Sequence, residues 1–203
     1  MIGQLFIISA PSGAGKTSLV SALVSKAPDI SVSISHTTRE KRSGENSGVD
    51  YHFVNKLKFD QMVEAGDFLE HAQVFDNYYG TSNSTVDSQL ASGTDVILEI
   101  DWQGARQIRK QKPDCRSIFI LPPSYHELEH RLNHREEDSK IIERRMRDAI
   151  AEMSHYKDYE FIVVNDDFHT ALADLESIFR ASRLRSKIQQ RNLEQLLDDL
   201  LER

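Results

Sequence analysis

The 203-residue sequence predicts an α/β fold in which helices flank a parallel sheet that carries an inserted α+β segment. Two observations lead to this prediction. Apolar runs of strand length alternate with stretches of helical periodicity, which is typical of a parallel sheet with right-handed crossovers. Short strands and short helices, at residues 31–93, separate the first two of these runs. The apolar runs are residues 5–8, 95–101, 117–121 and 160–165.

Residues 10–18 read Ala-Pro-Ser-Gly-Ala-Gly-Lys-Thr-Ser and lie between the first apolar run and a stretch with helical spacing. Such a turn between a strand and a helix predicts a P-loop of the form GxxxxGK[ST], in which Ala10 takes the place of the first glycine. Its glycines let successive backbone N–H groups point at one anion. We expect Lys16 to reach the β- and γ-phosphates of a nucleotide and Thr17 to ligate Mg²⁺. The residues expected to hold the phosphates are Ser12, Gly13, Ala14, Gly15, Lys16, Thr17 and Ser18.

The inserted segment is predicted to consist of short elements. Asn55 is expected to cap a helix that Gly66 ends. The polar residues 36–50 are predicted to form a loop, residues 76–80 a turn, and residues 84–91 a second helix. The predicted strands are residues 31–35, 51–54 and 68–75.

Beyond the insertion, strands and helices alternate again. Helical periodicity is found near residues 103–110, and Ser124 and Glu127 have the spacing of a capping box at the start of another helix. Residues 133–140 are polar and predict an exposed loop. One long C-terminal helix is predicted from about residue 168. Its last turns carry an apolar stripe formed by Leu193, Leu196, Leu197, Leu200 and Leu201.

Composition limits the classes of function. A net charge of -7 and a pI near 5.6 argue against a nucleic-acid partner held mainly through its phosphates. Cys115 is the only cysteine, which excludes an intrachain disulfide and predicts a reducing, cytoplasmic location. The N-terminal residues have neither a charged leader nor a long apolar span, so secretion and membrane insertion are not expected. The histidines are scattered, and we expect no His or Cys metal site.

Charged residues form three further constellations. Glu99 and Asp101 fall on one face at the C-terminal end of a predicted strand, where parallel sheets bind ligands and where P-loop enzymes place an acid that helps to hold Mg²⁺. Arg39 and Arg42 lie three residues apart and are able to converge on one phosphate. A second group of arginines surrounds the polar loop near residue 135: Arg131, Arg135, Arg144, Arg145 and Arg147. Arginines of this kind stabilise the charge that develops in phosphoryl transfer.

Taken in order and with their spacing, the motifs of this chain resemble those of guanylate kinases, which transfer a phosphoryl group from ATP to GMP. The resemblance extends from about residue 5 into the C-terminal helix. It rests on the motifs at residues 9–17, 33–39, 48–53, 68–70, 77–81, 99–104 and 164–167.

The resemblance implies a role for individual residues. It implies a single domain over residues 1–203, with a core at about 1–34, 94–130 and 145–203, a GMP-binding lobe at about 35–93 and a short lid at about 131–145. The residues that it implies for catalysis are Lys16, Arg39, Arg131, Arg135 and Arg145; those for GMP are Ser35, Arg39, Arg42, Tyr51, Glu70, Tyr79, Thr81 and Asp101. Asn165 is expected beside the adenine, and Thr17 and Glu99 at Mg²⁺, with Glu99 acting through water.

Three alternatives stay open at this point. The chain is either an active kinase of GMP, a P-loop kinase of another nucleoside monophosphate, or an inactive module of the same fold that binds phosphorylated peptides. The intact Gly13, Gly15, Lys16 and Thr17 argue against the inactive module, and the acids expected at guanine argue against another nucleotide. Self-association through the C-terminal leucines and packing of these leucines onto the domain are equally compatible with the pattern.

Overall fold

The computed structural model describes residues 2–74, 76–134 and 139–201, and only the backbone at residues 139 and 140. Its strands are β1 (Leu5–Ser9), β2 (Ile30–Val32), β3 (His36–Thr37), β4 (His52–Phe53), β5 (Phe68–Val74), β6 (Asn77–Ser82), β7 (Asp95–Glu99), β8 (Arg116–Leu121) and β9 (Phe161–Val164). Its helices are α1 (Lys16–Lys26), α2 (Lys56–Glu64), α3 (Asn83–Ala91), α4 (Trp102–Gln111), α5 (Tyr125–Asn133), α6 (Ser139–Met153), α7 (Phe168–Arg183), α8 (Ser186–Asn192) and α9 (Glu194–Leu201). None of the helices in these ranges is both long and apolar enough to span a membrane.

Two sheets organise the chain. The central sheet has the strand order β2-β7-β1-β8-β9, and all its neighbouring strands are parallel. The second sheet, in the order β4-β3-β6-β5, is formed by the segment inserted between β2 and β7 and is mostly antiparallel. The predicted α/β class, with its P-loop-type parallel sheet and its α+β insertion, is therefore confirmed.

Strand β1 lies at the centre of the molecule and divides its core. All five of its residues are buried, and successive side chains point to opposite faces of the sheet. Phe6 packs on the side of α1 and α7, where its ring stacks on Phe179 with 3.8 Å between centroids. Ile7 packs on the other side, with Ala105 and Ile108 of α4. Helices thus cover both faces, which explains why the first four residues of β1 are apolar.

The insertion contains more strand than the sequence predicts. The predicted turn at residues 76–80 is wrong in extent, because β6 begins at Asn77 and pairs with β5 from there onward. The predicted loop at residues 36–50 likewise contains β3, which pairs with β6. Tyr78 and Tyr79 favour a strand, and their pairing partners lie in other segments, so local turn signals do not decide the structure here.

The single C-terminal helix predicted from residue 168 is wrong, because the chain forms α7, α8 and α9 instead. Helix α7 ends at Arg183, whose carbonyl accepts a hydrogen bond from Nε2 of Gln189 at 2.9 Å. The backbone of Arg185 is extended, with φ of -61° and ψ of 138°, so the helix does not continue there. The sequence has no glycine or proline at this break, and the residue at the end of α7, Arg183, makes a tertiary contact.

That contact is an ion-pair network at the base of the central sheet. Arg183 Nε donates to Asp95 Oδ2 at 2.7 Å, and its guanidinium also pairs with Asp29. Asp95 is only 4% exposed, and its other oxygen accepts the backbone N–H of Gln4 at 2.8 Å. The network therefore ties the last turn of α7 to the start of β7 and to the residue before β1.

We expect Arg183→Met to lower the free energy of unfolding by about 2–3 kcal/mol, because the buried Asp95 carboxylate would lose a charged partner. Urea denaturation is the measurement, and the dependence of the unfolding free energy on urea concentration should stay unchanged. Arg180→Met, at an exposed position of the same helix, is the control and should leave the midpoint nearly unchanged. An equal effect of the two substitutions would show that the network does not stabilise the fold.

Candidate active site

The P-loop lies between β1 and α1 at the C-terminal edge of the central sheet. Gly13 and Gly15 have positive φ angles of 91° and 90°. A Cβ atom on Gly13 would lie 2.9 Å from a methyl of Leu128, and one on Gly15 only 2.3 Å from the amide nitrogen of Asn165. Both positions thus require glycine for conformation and for space. The cavity inside the loop, about 160 Å³, is lined by Pro11, Ser12, Gly13, Gly15, Lys16, Thr17 and Ser18.

Ala14 does not line this cavity, because it is fully buried behind the loop. Its carbonyl accepts a hydrogen bond from Nδ2 of the buried Asn165 at 2.8 Å. The carbonyl of Asn165 in turn accepts from Arg131 Nη2 at 3.1 Å, and Arg131 Nε donates to Glu127 Oε1 at 2.8 Å. Asn165 therefore braces the P-loop from the end of β9, and Arg131 links this brace to α5.

A larger cleft, with a volume of about 270 Å³, separates the P-loop and the central sheet from the second sheet. Lys16 lies in it with its Nζ 3.8 Å from Oε2 of Glu99. The cleft brings together five of the eight residues predicted for GMP and two of the seven predicted for the phosphates of ATP, and it is lined by Ser12, Lys16, Ser35, Tyr51, Glu70, Ala72, Val74, Tyr79, Glu99, Ile100, Asp101 and Glu152. Segments that lie far apart in the sequence thus meet at one site.

Two acids form the floor of this cleft. Glu70 is only 3% exposed, and burial, reinforced by the charge of Asp101, raises its pKa to about 7. Thr81 donates its hydroxyl proton to Glu70 Oε1 at 2.5 Å, so Thr81 lies behind this carboxyl group. Asp101 caps α4: its Oδ1 accepts the N–H of Gly104 at 3.0 Å. The hydroxyl of Ser35 lies 3.5 Å from that of Thr81 and completes the pocket wall.

The predicted anion site of the second sheet is occupied by a carboxylate of the chain itself. Glu45 accepts from Nη2 of Arg39 at 2.7 Å and from the backbone N–H of Arg42 at 2.8 Å. The Arg39 guanidinium also lies 5.4 Å from the ring centroid of Tyr51, and that ring is 5.9 Å from the ring of Tyr79. Arg39, Tyr51 and Tyr79 are therefore grouped as predicted, while the side chain of Arg42 is exposed to solvent.

Glu152 lines the cleft although the sequence analysis did not single it out. It lies near the end of α6 and accepts a backbone hydrogen bond from Ser12 of the P-loop. Burial raises its pKa to about 7, although the charge of Lys16 opposes this shift. The feature of the sequence that could have indicated Glu152 is its helical spacing from Arg145 and Ala149, which places the three residues on one face of α6.

The predicted lid is described only in part. Arg135 lies outside the described residues. Arg145 lies partly buried on α6, and neither Arg145 nor Arg131 is among the residues that line the cleft.

A P-loop that faces an acid-lined pocket across a cleft defines a P-loop phosphotransferase with separate sites for donor and acceptor.

A family model described as guanylate kinase matches residues 2–182. Because this match covers most of the sequence, the chain belongs to the guanylate kinase family, and it is an enzyme of that family. The chain is similar to a guanylate kinase of Alkalilimnicola ehrlichii, with 56% identity over 202 residues, 99% of this chain and 100% of that protein. It is 58% identical to a guanylate kinase of Pseudomonas fluorescens over 200 residues, 98% of this chain and 97% of that protein.

A solved structure supports the same assignment. The crystal structure of guanylate kinase from Anaplasma phagocytophilum superimposes with a TM-score of 0.79 at 31% sequence identity. The alignment covers 95% of this chain and 93% of that one. The resemblance drawn from the motifs is thereby confirmed for the family, the fold and the class of enzyme.

Proposed function

We propose that the chain transfers the γ-phosphoryl group of ATP to GMP, with the P-loop holding ATP and the acid-lined cleft holding GMP. The observation that carries this proposal is the presence of Lys16 in the same cleft as Glu70 and Asp101. A phosphate-binding lysine and a base-recognising pair of acids then face each other across the space where the phosphoryl group moves. An oxygen of the GMP phosphate forms the new P–O bond, and the bond from the γ-phosphorus to the β–γ bridging oxygen breaks, giving GDP and ADP.

The acids select guanine by hydrogen bonding. Guanine presents two donors, N1–H and the exocyclic NH₂, along one edge, whereas adenine has an acceptor at N1. Ionised Glu70 and Asp101 are able only to accept, so they suit guanine and leave an unpaired charge against adenine. Sites with such polar groups reject the wrong ligand by roughly 10⁴-fold.

Positive charge stabilises the phosphates. Lys16 and the backbone N–H groups of the P-loop hold ATP. Arg39 and Arg42 release the carboxylate of Glu45 and bind the GMP phosphate in its place. Arg131, Arg135 and Arg145 belong to the proposed lid and neutralise the charge of the transferred group after closure. The proposed division into a core, a GMP-binding lobe at about 35–93 and a lid at about 131–145 follows from these roles.

An enzyme of this family uses a divalent metal ion, and we propose Mg²⁺. The hydroxyl of Thr17 lies in the P-loop, and the carboxylate of Glu99 lies 3.8 Å from Lys16 at the end of the neighbouring strand. Hard oxygen donors of this kind suit Mg²⁺, with Thr17 as a ligand and Glu99 acting through water. When bound, the ion would supply charge neutralisation for the phosphates of ATP.

A coupled assay of ADP release tests the proposal. The purified chain should consume ATP with GMP and Mg²⁺, and much more slowly with AMP, with dTMP or without an acceptor. Preference for AMP or dTMP would identify a kinase of another nucleotide. Binding of a phosphorylated peptide without turnover of any nucleotide would identify the inactive module.

We expect Arg39→Ala and Arg42→Ala each to weaken GMP binding by about 10- to 100-fold, because each removes a charged donor to the acceptor phosphate. ATP binding should change little, since both arginines lie in the inserted sheet and its loop. Calorimetry with each nucleotide is the measurement. Lys41→Ala, an exposed cation between the two arginines, is the matched control. Equal loss of ATP and GMP affinity would place these arginines at the donor site instead.

We also propose that the chain self-associates through α9, three of whose four leucines are exposed. Leu196, Leu200 and Leu201 are 50%, 57% and 80% exposed, so this helix does not bury its apolar stripe against the domain. Deletion of residues 193–203 should then lower the molar mass measured by light scattering to that of one chain. An unchanged mass would reject the contact.

We place this activity in the cytoplasm. The proposed substrates ATP and GMP are present in that compartment, and the buried, free thiol of Cys115 suits its reducing conditions. Fractionation of cells followed by the GMP-dependent assay tests this location, and activity confined to another fraction would contradict it.

A further inference from the structure

Three glutamines of α4 are spaced four residues apart and bind the backbone of one strand. Nε2 of Gln103 donates to the carbonyl of Gln73 at 3.2 Å. Nε2 of Gln107 donates to the carbonyl of His71 at 2.7 Å, and its Oε1 accepts the His71 N–H at 3.3 Å. Nε2 of Gln111 donates to the carbonyl of Leu69 at 2.9 Å. We call these residues the glutamine seam.

The seam lies at the place where the two sheets meet. Strand β5 is the edge strand of the second sheet, and the groups that the glutamines bind belong to alternate residues, 69, 71 and 73. These residues point their backbone groups away from β6, so the glutamines take the place of a further strand. The intervening residues of β5, Glu70, Ala72 and Val74, face the cleft. Because side chains alternate along a strand, a slip by one residue would turn Glu70 out of the cleft.

Gly104, between the first two glutamines, contacts both acids of the cleft. Its N–H donates to Oδ1 of Asp101 at 3.0 Å. A Cβ atom at this position would lie 2.4 Å from Oε2 of Glu70, so the Glu70 carboxyl group rests directly on the helix backbone. Gln103 completes the connection, since its Nε2 also donates to Oδ2 of Asp101 at 2.9 Å.

We propose that the glutamine seam and Gly104 are positioning residues for base recognition, because they hold Glu70 at a fixed separation from Asp101. This inference rests on the proposed use of these two acids for guanine. Glu70 lies in the second sheet, whereas Asp101 follows a strand of the central sheet, and the seam is a direct set of hydrogen bonds between the strand that carries Glu70 and the helix that Asp101 caps. The seam therefore acts through Glu70 and does not itself touch GMP.

The test begins with Gln107→Met, which keeps the length of the side chain but removes both hydrogen bonds to His71. The KM for GMP should rise about tenfold, as expected for a pair of coupled neighbours, while the KM for ATP stays within about twofold. Gln190→Met, which removes an exposed glutamine whose side chain donates to Ser186 on α8, is the matched control and should change neither constant.

A double-mutant cycle shows whether Gln107 acts through Glu70. In the Glu70→Gln background, Gln107→Met should raise the KM for GMP by less than about twofold, because the carboxylate that it positions is already absent. Gly104→Ala should follow the same pattern as Gln107→Met: it should raise the KM for GMP in the wild-type background and have a much smaller effect in the Glu70→Gln background. Alanine is favoured over glycine inside a helix, so a loss of GMP affinity without a lower melting temperature is the expected signature.

The outcomes separate the two proposals. If the wild-type chain does not phosphorylate GMP, the proposed function fails, and this inference fails with it. If the wild type phosphorylates GMP but Gln107→Met and Gly104→Ala leave its KM for GMP unchanged, only the seam proposal is rejected. Equal increases in the KM values for GMP and ATP, or full additivity with Glu70→Gln, would likewise reject it by showing a general structural effect.

Discussion

Lys16→Ala is expected to lower kcat by about 10³-fold or more while the protein stays folded. The ammonium group lies in the cleft and pairs with Glu99 at 3.8 Å, which is long for an ion pair, so its removal takes little from the stability of the unliganded chain. It pairs fully only with the phosphates of the bound nucleotide, whose negative charge develops further during transfer. The loss therefore falls on the transition state.

The measurement is steady-state turnover of ATP and GMP, with circular dichroism to establish folding. Lys26→Ala is the matched control, because Lys26 lies on the same helix, is exposed and pairs with Glu176 far from the P-loop. This control should retain wild-type turnover. Near-normal turnover of a folded Lys16→Ala variant would show that the P-loop does not bind the phosphates that react.

The parts of the site that the sequence predicts are those fixed by neighbouring residues. The P-loop needs only β1, its glycines and the start of α1, and all of these are contiguous. The capping role of Ser124 is local in the same sense, and its Oγ accepts the N–H of Glu127 at 3.0 Å as predicted. The other motifs on which the family resemblance rests are also short and contiguous, so the family is recognised from the sequence before the fold is known.

The parts that the sequence does not predict depend on tertiary contacts. Glu152 approaches the P-loop only because α6 folds back onto it, and its helical spacing from Arg145 gives the face of α6 on which it lies but not what that face contacts. Arg183, at the end of α7, contacts Asp95, which lies 88 residues away in the sequence, and no local pattern indicates that pairing. The glutamines of α4 read as ordinary polar positions of an amphipathic helix until β5 is placed beside them.

The second large effect is expected for Glu70→Gln, which should lower kcat/KM for GMP by about 2–4 kcal/mol. The substitution keeps the shape of the side chain, and the hydroxyl of Thr81 remains able to pair with it. It replaces an acceptor-only carboxylate by an amide whose NH₂ group would face the donors of guanine. ATP binding should barely change, because Lys16 and the P-loop keep their contacts. Glu64→Gln, at an exposed position of α2 in the same insertion, is the matched control.

The pH dependence of base selection gives this prediction a sharper form. Burial raises the pKa of Glu70 to about 7, so the carboxyl group of the free enzyme is largely protonated below that pH and ionised above it. The ionised form accepts from guanine, whereas the protonated form has a donor that suits N1 of adenine. The ratio of kcat/KM for GMP to that for AMP should therefore rise as the pH passes upward through about 7 in the wild type. The ratio cancels the ionisation of the substrate phosphates, which the two nucleotides share, and it should lose its pH dependence in Glu70→Gln. A ratio that is independent of pH in the wild type and unchanged in the variant would mean that Glu70 does not select the base.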